Sequence, residues 1–133
     1  MTPPVSVEIR VIYGDTDQAG IVYYANYLRF FEASRGAFLR ERGRSYVEIE
    51  AAGLTMPVIE AHVKYLRPAR YEDLLVVQVR LEKVRGASLR FEYDVVRDGK
   101  VIAQGFTEHA CIGRDGRPRR FPAELRALLE RGV

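Results

Sequence analysis

Residues 13–35 read YGDTDQAGIVYYANYLRFFEASR, an acidic loop that runs directly into an amphipathic helix. Gly14 and Gly20 bracket two carboxylates, Asp15 and Asp17, and glycine lets a backbone turn tightly or approach a ligand closely. From about Tyr24 the apolar residues Tyr27, Phe30, Phe31, Ala33, Ala37 and Phe38 recur at offsets of three and four, the spacing of one helix face. Gly43 supplies a stop just after Arg40 and Arg42, whose charges suit a helix C-terminus. The spacing predicts a helix of about twenty residues, which spans roughly 30 Å. Its first turn carries N–H groups without intrahelical partners, and these can donate to a carbonyl oxygen or a developing oxyanion.

Outward from this stretch the chain has strand character. Residues 5–13, VSVEIRVIY, alternate apolar with polar side chains and enter the loop as a half-buried strand. After Gly43, Ser45 and Glu48 have capping-box spacing, so a short helix runs to about Ala52 and ends at Gly53. A second strand covers residues 54–66, with Pro57 marking an edge or a bulge. Residues 67–73, RPARYED, turn a corner, and three further strands follow at 74–84, 89–97 and 101–112. The links Arg85-Gly-Ala-Ser88 and Asp98-Gly-Lys100 are short and contain glycine, as antiparallel hairpins require. Residues 122–131 have the leucine spacing and leading proline of a closing helix. The result is an α+β chain in which a sheet of at least five strands most economically wraps around the long helix, whose apolar face becomes the core.

Composition narrows the functional classes. A chain of 133 residues is about one domain, and neither a repeat nor a linker divides it, so residues 1–133 read as a single unit. With 47% hydrophobic and 29% charged residues it is of ordinary globular composition. No apolar run approaches the roughly 18 residues of a membrane span, and the start MTPPVSVEIR lacks the layout of a signal peptide; the expectation is a cytoplasmic protein. The net charge of +3 is mild and dispersed. The one basic cluster, RDGRPRR at 114–120, has no interleaved aromatic residues to stack on bases, so nucleic acid is not expected as a partner. An anionic small ligand fits the charge better. The lone Cys111 lies in an alternating stretch and reads as a buried position rather than a nucleophile.

Asp17 is the side chain that chemistry singles out. A carboxylate in a glycine-flanked loop just ahead of a helix can act as nucleophile or general base on an acyl carbonyl polarised by the helix N-terminus. The competing reading is that Asp15 and Asp17 are turn and cap residues, roles in which aspartate is common. Tyr23 and Tyr24 lie close enough to the loop to line a pocket, although Tyr24 serves equally well in a core. His62 and His109 stand alone in strands without metal-ligand spacing, so no metal site is expected. The chain has no G-x-S-x-G turn and no G-x-G-x-x-G or Walker loop.

Residues 13–32, YGDTDQAGIVYYANYLRFFE, resemble the signature of hotdog-fold acyl-CoA thioesterases, in particular the branch of 4-hydroxybenzoyl-CoA thioesterases and Tol-Pal-associated thioesterases. The resemblance continues in YLRPARYED at 65–73 and RGASLRF at 85–91, and so covers nearly the whole chain. It implies a hotdog fold, a five-stranded antiparallel sheet wrapped around a long central helix, and a homodimer or homotetramer with active sites between subunits. It also implies hydrolysis of acyl-CoA with no metal or redox cofactor. By the same resemblance Asp17 matches the catalytic aspartate, and the backbone N–H of Tyr24 matches the donor to the thioester carbonyl. Asp15 matches a structural loop position. Tyr23 borders the substrate, while Arg85 and Ser88 fall in the hairpin that approaches the nucleotide or pantetheine of CoA. Many Tol-Pal-type members carry histidine where this chain has Tyr24, and the tryptophan and proline that follow the hydroxybenzoyl enzyme's loop are absent here. These departures leave the acyl group open. A non-catalytic acyl-CoA-binding module on the same fold is the alternative. A hydratase would want a histidine near the loop-to-helix junction, and neither histidine lies there in sequence.

Overall fold

The structure is a computed structural model describing residues 4–131; residues 1–3, part of the segment read above for a leader, and residues 132–133 lie outside the described residues. Five strands form one antiparallel sheet in the order β1-β3-β4-β5-β2. They are β1 (Val5–Arg10), β2 (Val58–Tyr65), β3 (Leu74–Arg85), β4 (Ser88–Arg97) and β5 (Lys100–Ala110). Three helices accompany them: α1 (Asn26–Glu41), α2 (Tyr46–Ala51) and α3 (Ala123–Glu130). The β3-β4-β5 meander forms the middle of the sheet and leaves the edges to β1 and β2. Asp98 and Gly99, with φ of 52° and 77°, make the β4-β5 turn in the left-handed geometry that matches strand twist. Among the described residues no helix is long and apolar enough to cross a membrane.

The helices follow their caps. Ser45 and Glu48 close a reciprocal capping box at the start of α2. At the end of α1, Arg44 N–H donates to the Leu39 carbonyl and Gly43 N–H to that of Arg40, with Gly43 at φ 92°. This is the paired bonding that a glycine after the last turn permits. Pro57 carries both meanings expected of it: it immediately precedes β2, an edge strand whose pairing with β5 shifts register between Val58 and Glu60.

Several expectations need correction. β1 stops at Arg10, because from Val11 the backbone bonds to the Glu72-Asp73 corner instead of continuing the ladder. α1 has 16 residues, about 24 Å, because Tyr23–Ala25 is taken up in a turn anchored on Asp15. Ala33 is exposed, and Ser34 and Leu39 take the buried positions beside Tyr27, Phe30, Phe31 and Phe38. Arg42 does not simply dress the helix end. It is buried under α3 with its guanidinium 4.3 Å from the Phe38 ring centre and Nε donating to the Leu129 carbonyl, and burial lowers its pKa.

α1 lies against β1, β3 and β2, and its aromatic face meets the alternating inward residues of the sheet. The Phe31 ring stacks on Tyr93 at 4.1 Å, and Phe38 meets Phe91 edge-on at 5.2 Å. Gly105 on β5 makes the first contact possible. A Cβ there would strike the His62 carbonyl and come within 2.7 Å of the Phe31 ring.

A chain of hydrogen bonds, buried from Tyr93 onward, crosses this core. Arg35 of α1 donates to the Tyr93 hydroxyl, which meets Thr107 Oγ1, which meets His109 Nε2, while His109 Nδ1 lies 2.9 Å from the Met56 carbonyl. A carbonyl only accepts, so Nδ1 carries the proton and the neutral ring accepts at Nε2. Every link then points the same way, from Arg35 to Met56. Burial, the largest cause, holds the His109 pKa down to about 4, reinforced by the charge of Arg35. Because the unfolded imidazole titrates near 6.5, the unfolded chain binds more protons between these values. Stability is therefore full above about pH 6.5 and falls as pH drops toward 4, on the order of 3 kcal/mol from this group. Thermal melts across that range should show the loss, and His109→Gln should flatten it.

Candidate active site

The acidic loop is built by its own polar groups. Tyr13–Asp15 form a short 3-10 turn, and the Asp15 carboxylate, 3% exposed as a residue, accepts from Ile12 N–H at 3.0 Å and from Arg29 at 2.7 Å. The Asp15 carbonyl receives Tyr23 N–H and the Asn26 side-chain amide, both at 2.9 Å. Asp15 is thereby saturated as the pin that sets where α1 begins. Thr16 and Val22 then pair across a tight loop closed by Asp17 N–H to the Ile21 carbonyl, and Gly20 at φ 80° makes the turn possible. Gly14 is different: it has no left-handed φ, and an added Cβ would reach only Ile12 at 4.0 Å. Of the two bracketing glycines, one is conformationally required.

Asp17 is half-buried. Its Oδ1 accepts from Ala19 N–H at 2.8 Å, while Oδ2 has no partner among the described residues. The turn bond thus occupies one oxygen of the carboxylate and leaves the other open. Asp17 lines a cleft of about 340 Å³ together with Ile21, Val22, Tyr24, Tyr65 and Pro68. Tyr24, 61% exposed, belongs to this cleft rather than the core, a position that Tyr27 takes instead. Tyr23 packs beside it at 4.7 Å. Asn26, Tyr27 and Leu28 donate back to the carbonyls of Tyr23, Tyr24 and Ala25. The N–H groups of Tyr24 and Ala25 have no acceptor among the described residues, so two unpaired donors stand at the helix start.

One contributor escaped sequence reasoning. The Tyr65 hydroxyl, at the end of β2, donates to the Tyr24 carbonyl at 2.8 Å, and its ring meets Tyr24 and Tyr27 edge-on. Burial raises its pKa, which keeps the hydroxyl protonated as a donor. The signal available in sequence was only a tyrosine closing a strand before Leu-Arg-Pro. Tyr65→Phe removes one hydrogen bond of about 1 kcal/mol that orients the peptide next to the donor pair. The expected result is a several-fold lower kcat with an unchanged melting temperature, read by steady-state kinetics and calorimetry.

The other expected site residues are not brought to Asp17 within one chain. Arg85 and Ser88 flank the β3-β4 turn, with the Ser88 hydroxyl near the Arg85 carbonyl and Arg85 4.0 Å from Glu82. The acidic loop follows Arg10, which pairs with Leu74 at the opposite end of β3, roughly 35 Å away along the strand. His62 is exposed and stacked on Phe106, and His109 belongs to the core chain. Cys111 is fully buried and burial raises its pKa, which suppresses the thiolate a nucleophile needs. Among the described residues no cluster of His, Cys, Asp or Glu is placed to hold a metal ion.

An antiparallel sheet of this strand order packed on one long helix, with a carboxylate beside the helix start, defines the hotdog thioesterase architecture. Residues 11–129 match the Thioesterase-like superfamily, and the chain belongs to that family. Among its relatives, the acyl-CoA thioesterase YbgC of Haemophilus influenzae is 33% identical over 126 residues, 93% of each chain. The 1,4-dihydroxy-2-naphthoyl-CoA hydrolase of Thermosynechococcus vestitus is 30% identical over 132 residues, covering 97% of this chain and 90% of that one. A crystal structure of a hypothetical protein from Aquifex aeolicus superimposes with a TM-score of 0.91 at 31% identity, covering 95% of this chain and 99% of that chain.

Proposed function

We propose that this protein hydrolyses acyl-CoA thioesters, with Asp17 as the attacking or proton-accepting carboxylate and the Tyr24 N–H as the principal donor to the thioester carbonyl. The observation that carries the reading is the free Oδ2 of Asp17, in the same cleft as Tyr24, whose backbone N–H opens the helix. The thioester oxygen gains charge as its carbon becomes tetrahedral, and fixed N–H donors stabilise that charge more than they stabilise the ground state. Attack by Asp17 expels the CoA thiolate, which takes up a proton, and leaves a mixed anhydride that water hydrolyses. With Asp17 as base, water adds its oxygen to the acyl carbon and gives its proton to the carboxylate; the tetrahedral intermediate then collapses with cleavage of the C–S bond, and the departing CoA thiolate takes up that proton. Label found in Asp17 after a single turnover in ¹⁸O-labelled water would identify the anhydride route, since general-base hydrolysis puts label only into the product acid.

The names of the relatives support acyl-CoA as the substrate class, and the motif at residues 13–35 supports the 4-hydroxybenzoyl-CoA and Tol-Pal-associated branch. The oligomer implied by the sequence has a physical counterpart in β2. This edge strand of eight residues exposes Val58, Ile59 and Tyr65 and leaves its outer backbone groups unpaired, a template for pairing with another copy. Such a homodimer supports Arg85 and Ser88 as contacts to CoA bound at the other subunit's Asp17. Release of free thiol from a panel of short, long and aromatic acyl-CoAs tests the reading. Turnover of at least one member is expected, whereas binding without hydrolysis across the panel would identify a non-catalytic acyl-CoA-binding module.

A further inference from the structure

The α1-β2 groove holds two clefts. The larger, about 570 Å³, lies beside the later turns of α1 and Val58; the smaller, about 340 Å³, lies at the helix start and Tyr65 and holds Asp17. Among the described residues the walls of the smaller cleft carry one charged residue besides Asp17, and that residue is Arg67.

Arg67 belongs to the corner at 67–73, which is bolted to the acidic loop. The Ala69 carbonyl accepts Val22 N–H at 2.8 Å, and Arg67 N–H donates to the Ile102 carbonyl at 3.0 Å. The backbone of Arg67 is therefore fixed relative to Asp17 before any ligand binds. Neighbouring arginines hold this corner together. Arg10 donates to the Glu72 carbonyl, Arg70 reaches the Gly20 carbonyl, and Arg97 bonds both the Pro68 carbonyl and the Asp73 carboxylate. Arg67 differs from them: it is exposed, and its guanidinium has neither a hydrogen bond nor an ion pair among the described residues.

A cation without a structural task, sharing a cleft with a reactive carboxylate, is matched by an anion of the reaction. The phosphates of CoA sit at the far end of the pantetheine arm, beyond the walls of a cleft this small once the thioester is at Asp17. The carbonyl oxygen is assigned to the Tyr24 N–H. What is left is the sulfur, neutral in the thioester and a thiolate once the C–S bond has broken.

We propose that Arg67 stabilises the departing sulfur: its guanidinium faces the thioester sulfur and offsets the negative charge that C–S cleavage leaves there. The proposal rests on the thioesterase reading and adds a catalytic residue to it. The bonding pair passes from carbon to sulfur, and the guanidinium keeps its protons, because arginine stays charged at any working pH. The thiolate takes its proton from Asp17 when Asp17 is the base, or from water when Asp17 has formed the anhydride. A cation facing a sulfur that is neutral in the ground state acts on the transition state, so the effect falls on the rate of cleavage rather than on binding. Substrate filling the cleft displaces water, which lowers the local dielectric and strengthens the attraction as charge appears.

The test reads C–S cleavage directly, as thiol release in a single turnover with enzyme in excess. Arg67→Gln should lower the maximal rate on the best acyl-CoA by roughly tenfold or more with half-saturation unchanged. Arg67→Lys, which keeps the charge, should recover most of the rate. Melting temperatures should match wild type, since the guanidinium holds nothing in the fold; a drop in both variants would contradict that. Thiophenyl esters of the same acid then vary the leaving group. The loss in Arg67→Gln should be largest for the para-methoxy thiol, whose thiolate is the more basic, and nearly absent for the para-nitro thiol, whose ring already spreads the charge. A uniform loss across the series, or half-saturation raised with the maximal rate intact, would make Arg67 a binding residue and overturn the proposal. So would a loss confined to acyl-CoAs that end in a carboxylate, since the matching anion would then be the acyl group's own. Failure of the wild type on every acyl-CoA would instead remove the thioesterase reading beneath it.

Discussion

Asp17→Asn is expected to lower kcat for the best acyl-CoA by a hundredfold or more, on the order of 3 kcal/mol of barrier, and to leave the melting temperature nearly unchanged. The amide oxygen of asparagine still accepts the Ala19 N–H that Oδ1 accepts at 2.8 Å, so the turn survives. What is lost is the negative oxygen with no partner among the described residues, the one available to attack carbon or take a proton from water. Stability and the proposed chemistry are thus separable at Asp17, whereas at Asp15 both oxygens are spent on holding the loop. Thiol release by matched preparations, with melting curves for each, checks the expectation. Equal activity in the two proteins would reduce Asp17 to its turn role and move the chemistry elsewhere in the cleft.

The largest expected loss of stability comes from a residue with no side chain. Gly105→Val places carbon where the His62 carbonyl and the Phe31 ring already lie, and neither can yield. The carbonyl belongs to the β2-β5 ladder, and the ring is stacked on Tyr93 and buried in the helix face. Overpacking of this kind costs about 1–3 kcal/mol and more when backbone must move, which for a chain of this size lowers the melting temperature by roughly 10 °C. Calorimetry would measure it. The comparison with Gly14→Ala is informative, since a Cβ at Gly14 touches only Ile12 at 4.0 Å and should cost little.

These two glycines show where local sequence carries information and where it does not. Gly14 attracts notice because it sits in a motif, yet nothing crowds it. Gly105 sits unremarked in a strand, and its necessity comes from Phe31, 74 positions earlier in the chain. The same division runs through the site. Asp17, Tyr24 and the start of α1 are near neighbours in sequence, so a loop-to-helix reading finds them. Tyr65 reaches Tyr24 only because β2 ends where α1 begins. The Arg35-Tyr93-Thr107-His109 chain joins a helix and two strands that no spacing rule connects, and His109 taken alone looked like an isolated residue.

Amphipathic periodicity, caps and short glycine turns determine α1, α2, the meander and an antiparallel sheet, since each depends on interactions within a few residues of its own position. The Asp-containing loop is legible for the same reason. Tertiary structure decides the order of strands, which leaves β2 at an edge, the burial of Arg42 and His109, and the separation of the Asp17 cleft from the larger cleft along the α1-β2 groove. Those outcomes depend on which surfaces meet across the fold, and a contact between distant segments is set by the packing of the whole core.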